Sequence, residues 1–370
     1  MDRCDVLIVG GGPAGSTCAW KLKQAGLDVL VMDKQTFPRD KVCAGWITPA
    51  VVETLQIDTA DYAQSRVFQP ITGFNTGLID GNEVSTHYQE IVSYGIRRRE
   101  FDDYLLQRAG ARLMLDNAFQ SAQRDGDEWI INGNIRTPLL IGAGGHFCPV
   151  ARQLGAELGG SEPVVAAKEI EFLMDENQMA QCKVSGEKPE LYFCRDLKGY
   201  GWVFRKGDYL NIGLGREDNR GLTGHLDAFC DFLKSRGKIP QEISGRFHGH
   251  AYLLNGHSKR RITDDQVMLI GDAAGLAYPQ SGEGIRPAIE SGLLAAETIL
   301  AAKGNYSKDS LEAYRGKLQS RFSEAKSTSA GVLPVWLQTW IGGKLLSNPW
   351  FTRHVVIDKW FLHSHQQALA

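Results

Sequence analysis

The stretch CDVLIVGGGPAGSTCAWKLKQAGLDVLVMDK, residues 4–34, leaves the start of this chain few ways to fold. Val6 to Val9 is a continuous apolar run, the pattern of a strand buried on both faces. Helical spacing follows, with Ala14, Cys18, Leu22 and Ala25 on one face and Gly26 as the stop. A second apolar run ends at Asp33, with Lys34 beside it. Between the first strand and the helix, Gly10, Gly12 and Gly15 fit G-x-G-x-x-G. Such glycines permit the turn, the close approach of a pyrophosphate at Ala14 and Gly15, and helix–strand packing. The helix N-terminus adds amide donors and partial positive charge. A carboxylate at the end of the second strand can grip a ribose diol. Together these features read as a dinucleotide-binding βαβ unit, open to NAD or FAD.

A second glycine-rich turn makes the choice. QVMLIGDAAG is again an apolar run entering small residues, with Asp272 at its end. In the helix expected next, Ile285, Ile289, Gly292, Ala296 and Leu300 share a face, Pro287 sits in the first turn, and Gly304 ends it. Its N-terminus, around Gly282 and Gly284, aims amides at a second electron-rich group. A flavin ring fits, because its N1 and C2 carbonyl become anionic on reduction and a helix end there contributes about 0.3–1 kcal/mol. One ligand with a pyrophosphate at one end and such a ring at the other is FAD.

A chain of 370 residues is long for one core. Strands expected at 4–9, 28–33, 137–142 and 266–271 assemble a Rossmann-like α/β FAD-binding domain from 1–62, 92–160 and 262–304. Residues 63–91 and 161–261 form an interleaved antiparallel-sheet substrate domain, marked by ELYFCRDLKGYGWVFRKGDYLNIGLGR and its Lys-Gly-Asp hairpin turn. Tyr200, Trp202 and Phe204 alternate along one strand there and share a face. Residues 305–370 read as a helical C-terminal segment carrying Trp336, Trp340, Trp350 and Trp360, expected to cap a cavity, pack a dimer or rest on a membrane surface.

The net charge of -2 gives no general attraction to nucleic acid. Seven scattered cysteines without a CxxC pair suggest neither zinc nor a disulfide framework. His248 and His250 alone do not make a metal site. Without a basic leader or an apolar run of about 18 residues, the chain reads as cytoplasmic, or as peripheral to a membrane. With only one dinucleotide fingerprint visible, an external donor, NAD(P)H or a redox protein, must supply electrons.

GDAAGLAYPQSGEGI, residues 271–285, resembles the flavin-side motif of the p-hydroxybenzoate-hydroxylase-like FAD-dependent oxidoreductase superfamily, and its proline-then-GEGI form is similar to the geranylgeranyl reductase family within it. RDKVCAGWITP (39–49), RRREFDDYL (97–105) and GYGWVFRKGDYLNIGLG (199–215) match in the expected order. The resemblance implies FAD contacts from the backbone of Cys43, Ala44 and Gly45, from Arg98 to the phosphates, and from the backbone of Ala118 to adenine. It places Asp272 at the ribityl or pyrophosphate and Gly284 and Ile285 over the flavin carbonyl. Cys43, Tyr200 and Trp202 become the catalytic candidates, in a cavity for an apolar substrate. The implied activity is reduction of carbon–carbon double bonds in a prenyl-like chain. A monooxygenase or halogenase acting on an aromatic or apolar small molecule is the alternative, and a non-catalytic flavoprotein a third reading. Gly144 stands where hydroxylases carry an aspartate, and Trp202 is not part of a tryptophan pair, which favours the reductase.

Overall fold

A computed structural model describes residues 1–158, 162–218, 220–322 and 335–369, without the side chains of 335–340. The chain divides into two compact units, Met1–Asp40 with Arg99–Val164 and Tyr252–Ser327, and Lys41–Arg98 with Val165–Ala251 and Thr328–Ala370.

The first unit is built on a six-stranded sheet in the order Thr263–Asp264, Val267–Leu269, Leu140–Gly142, Val6–Val9, Val29–Met32, Arg112–Met114. All neighbours are parallel except the first pair. The central strands are buried along their whole length, as parallel strands covered on both faces must be. Helices Pro13–Gln24 and Ile285–Ala302 pack against each other. They approach closely because Gly292 has no side chain: a Cβ there would lie 2.5 Å from the carbonyl oxygen of Ala14.

The strand expected at 137–142 divides in two. Ile135–Thr137 joins a separate four-stranded sheet, and only Leu140–Gly142 enters the parallel one. Pro138 explains the break, since it lacks the N–H that a continuing ladder needs.

The second unit carries a seven-stranded sheet ordered His248–Leu253, Val164–Leu173, Tyr209–Arg216, Gly199–Lys206, Glu190–Phe193, Gly73–Leu78, Glu83–His87. The hairpin Gly199–Lys206 to Tyr209–Arg216 turns at Gly207, with φ +59°, and Asp208, as the Lys-Gly-Asp signal requires. One face of this sheet is dry core: Ile170, Val203, Ile212 and Leu214 cluster with Phe229 and Leu233 of helix Leu222–Ser235. Toward the C-terminus come helix Val335–Leu346, the turn Pro349–Phe351 and a π-helical stretch Thr352–Phe361. The side chains of Trp336 and Trp340 lie outside the described residues. Trp350 is exposed, and Trp360 meets Phe351 edge-on.

Candidate functional site

Two groups of residues gather the expected chemistry, one in each compact unit. In the first, the turn after Val6–Val9 depends on glycine. Gly10 has φ +117°, and a Cβ on Gly15 would lie 1.9 Å from the Gly10 carbonyl oxygen. Gly12 precedes helix Pro13–Gln24 and no side chain caps it, so the first-turn amides remain available to an anion. Arg39 reaches this turn: a Cβ on Gly12 would sit 3.4 Å from its Nη2. Its guanidinium also pairs with buried Asp102 at 3.3 Å. Arg39 opens the RDKVCAGWITP stretch, and only the fold brings it to the glycines.

Asp33 ends its strand with both oxygens used. Oδ2 accepts from the amide of Gly11 at 2.8 Å and Oδ1 from that of Gln35 at 3.0 Å. A carboxylate keeps further lone pairs for a ribose hydroxyl. The amide of Asn117 donates to the Asp33 carbonyl at 2.9 Å, bringing exposed Ala118 alongside, and the Ala118 carbonyl accepts from Asn132. Lys34 is exposed.

The second glycine turn leaves the same sheet. Gly271 has φ +61°, and a Cβ on it would meet Ala14 Cβ at 2.9 Å, so the two turns are neighbours. Asp272 Oδ1 would be 3.2 Å from a Cβ on Gly284, which places its carboxylate at the N-terminus of helix Ile285–Ala302. Gly282 has φ +66°, in space that a side chain would have to share with the Tyr252 hydroxyl, only 2.3 Å from the Cβ position. Glu283 Oε1 accepts from the Arg286 amide at 2.7 Å. Crowding away from water, partly offset by that amide, pushes its carboxyl up to about 7.

An uncapped start to helix Pro13–Gln24, a second helix start met by Glu283 at the Arg286 amide, glycines shaped for close approach and a carboxylate beside each turn fit a ligand with phosphates and a ring that carries negative charge. A separate cleft of about 540 Å³, lined by Lys259, Arg261, Lys308, Arg315 and Glu312, holds none of the expected site residues.

In the second unit, strand register explains the aromatic face. Glu169, Gly213 and Trp202 stand side by side across three strands, and Glu171, Asn211 and Phe204 form the next row. Gly213 makes room for the indole: a Cβ there would lie 2.2 Å from Cζ2 of Trp202. Phe204 is core, edge-on to Trp46 at 5.3 Å, whereas Tyr200 is half-buried and meets Trp202 and Phe361.

The indole N–H of Trp202 donates to Asn211 Oδ1 at 2.8 Å. Asn211 Nδ2 in turn donates to the Cys43 carbonyl and to Glu169 Oε2, both at 3.2 Å. Cys43 and Trp202 are therefore joined through Asn211, a strand position that carries no motif of its own. Cys43 is half-exposed, whereas the other six cysteines are buried. Ala44 is half-buried, and Gly45 (φ +68°) has no room for a Cβ beside the Ile96 carbonyl.

Beneath the Cys43–Gly45 turn lies a charged row. Buried Lys206 donates to the Ile96 carbonyl at 2.8 Å and to Glu171 Oε1 at 2.7 Å. Arg97 adds a 3.3 Å contact to Glu171 and lies over the Tyr209 ring. Burial pushes the Glu171 carboxyl up, but Lys206 and Arg97 outweigh it and hold the group below its ordinary range. Glu169, two residues away, feels Lys206 only at a distance, and burial pushes it up to about 7. Of the three adjacent arginines, Arg97 is thus committed to Glu171 and Arg99 to Asp40, while Arg98 is buried at the start of helix Arg98–Arg108. The alternation in KEIEF, residues 168–172, puts both carboxylates on one face of the strand, without telling what stands opposite them.

The FAD binding domain family model matches residues 3–326. Over 353 residues the chain is 31% identical to digeranylgeranylglycerophospholipid reductase 3 of Methanosphaera stadtmanae, covering 88% of this chain and 84% of that protein. Over 328 residues it is 30% identical to the menaquinone reductase of Mycobacterium tuberculosis, covering 80% and 77%. The crystal structure of a geranylgeranyl bacteriochlorophyll reductase-like protein from Thermoplasma acidophilum superposes with a TM-score of 0.75 at 22% identity, over 94% of this chain and 88% of that one. At that identity the likeness concerns the fold.

Proposed function

The chain belongs to the FAD-binding domain family, in its geranylgeranyl reductase branch, and on that premise we propose that it reduces isolated carbon–carbon double bonds in a prenyl-like, apolar chain. The observation that carries this reading is the 31% identity, across 88% of the chain, to a protein named as a reductase of digeranylgeranyl lipid. The aromatic face of Tyr200 and Trp202 supports it, because burying an apolar chain there is favourable by about 0.8 kcal/mol per methylene.

Once reduced by its external donor, bound FAD would supply a hydride to one alkene carbon. The protein's part is to hold the cofactor and bring a proton to the other carbon. Amides at the start of helix Pro13–Gln24, with Ala14 and Gly15, hold the pyrophosphate, and Asp33 takes the adenosine ribose. Ala118 meets adenine, and buried Arg98 serves the phosphates. Asp272, Gly282, Gly284 and Ile285 hold the flavin end, where the helix start favours negative charge. Cys43, Tyr200 and Trp202 line the substrate side. Two electrons per double bond come from an external NAD(P)H or redox protein. No helix among the described residues is long and apolar enough to cross a membrane. We place the protein in the cytoplasm, meeting lipid substrates at a membrane surface.

The test is anaerobic: reduce the flavin with dithionite, add a geranylgeranyl lipid, and weigh the product. Gain of two hydrogens per double bond, with reoxidation of the flavin, supports the reading. No alkene reduced, and reoxidation through a transient hydroperoxide spectrum once air is then admitted, overturns it in favour of an oxygenase.

A further inference from the structure

The peptide unit of Cys43 is held from below at both of its polar atoms. Its carbonyl accepts from Asn211 Nδ2 at 3.2 Å, and its amide faces the Glu169 carboxylate and favours that group's ionised form. The same Asn211 Nδ2 donates to Glu169 Oε2, and Trp202 fixes the amide's orientation through Oδ1. Three residues from three separate strands thus close on one peptide, and Glu169 is only 6% exposed.

We propose that Glu169 and Asn211 are positioning residues that clamp Cys43, and that the clamp opens when Glu169 takes up a proton. The proposal deepens the reductase reading, since it concerns a residue assigned there to the substrate side.

Lone-pair accounting supplies the reason. Ionised, Glu169 is an acceptor at both oxygens and can receive the Cys43 amide and Asn211 together. Protonated, one oxygen carries a hydrogen and must donate. The surrounding N–H groups of Cys43 and Asn211 offer donors, not acceptors, in that direction. One of the two hydrogen bonds is lost or must reorient, and a buried polar group is costly to leave unmet.

The neighbours set where this happens. Burial raises the Glu169 carboxyl to about 7, the Cys43 amide, Lys206 and Asn211 pull it down, and ionised Glu171 pushes it up. Lys206 and Arg97 both make their ion pairs with Glu171, so Lys206 acts on Glu169 from a distance and burial outweighs it. The switch therefore falls in the neutral range. Closed above it and loosened below it, the clamp makes the placement of Cys43 depend on pH.

Cys43 reports on its own loop, because the other six cysteines are buried. The FAD-loaded protein is treated with iodoacetamide between pH 6 and 8, and Cys43 modification is followed by peptide mass spectrometry. Each rate is divided by that of free cysteine at the same pH. For the wild type the ratio should rise about tenfold as pH falls through 7, the fold-change of losing one charge-assisted hydrogen bond. In Glu169→Gln it should be high and level throughout.

A level wild-type ratio, or a Glu169→Gln protein that keeps the wild-type slope, overturns the proposal. If Glu169→Gln does not retain FAD, the wild type decides alone: deuterium exchange at the Cys43 amide, corrected for its intrinsic pH dependence, must speed up below pH 7, and unchanged protection overturns the clamp. No substrate enters either assay. Failure here leaves the reductase reading standing, whereas failure of alkene reduction leaves the clamp standing.

Discussion

At the scale of single residues, what could be read from the sequence was what glycine must do. The tight turn at Gly10 and Gly15 was legible because its glycine spacing leaves no space for a Cβ, and a Cβ on Gly15 would lie 1.9 Å from the Gly10 carbonyl oxygen. Asn211 and Glu169 were not legible, since a polar residue inside a strand reads as solvent-facing until register shows what stands opposite it. Gly15→Ala should therefore cut FAD affinity by about 5- to 150-fold, as overpacking of 1–3 kcal/mol predicts, with FAD retained on purification as the measure. Glu283 gives a pH prediction. Its carboxyl, raised to about 7 when folded against an ordinary 4.5, binds its proton more tightly in the native state. The stability this contributes is complete below about 4.5 and is lost as pH rises through 7. In urea melts of the FAD-free protein, the advantage of wild type over Glu283→Gln should shrink between pH 5 and pH 8, and an advantage that grows instead would contradict the assignment.

Among the elements, strands with uniform apolar runs were found where expected, because burial on both faces writes itself into every position. Element limits were harder. The expected strand at 137–142 ran two sheets together, since apolar spacing alone does not register the donor that Pro138 lacks. Contact between helices Pro13–Gln24 and Ile285–Ala302 was beyond the sequence altogether, although Gly292 was on the page as one of the helix's inward residues. Gly292→Ala would drive a Cβ against the Ala14 carbonyl and push the two glycine turns apart. A loss of about 1–3 kcal/mol is expected, read as a lower melting temperature together with weaker FAD binding. Loss of stability with full FAD affinity would show that the turns do not depend on this contact.

For the molecule as a whole, the chain returns repeatedly to each of its two compact units, and the cofactor turns and the aromatic face fall in different ones. Mutations should separate accordingly. Trp202→Leu, which leaves Asn211 without its indole partner, should cost about 1–3 kcal/mol of stability and weaken the response to a prenyl substrate while FAD content stays at one per chain. Parallel loss of FAD would refute that separation. Stripping FAD should in turn lower the melting temperature, by the equivalent of about 2.7 kcal/mol when the free cofactor had stood at 100 times its Kd. The pairing of Trp202 with Gly213 carries a last consequence. The indole fills the volume that any side chain at 213 would claim, so the two positions act as one shared space seen from adjacent strands. Shrinking Trp202 while enlarging Gly213 would shift a wall sideways without changing the sum of the two. A bump-and-hole exchange of this kind offers a way to regrade the girth of chain the protein admits, with the floor of Glu169 and Asn211 left in place.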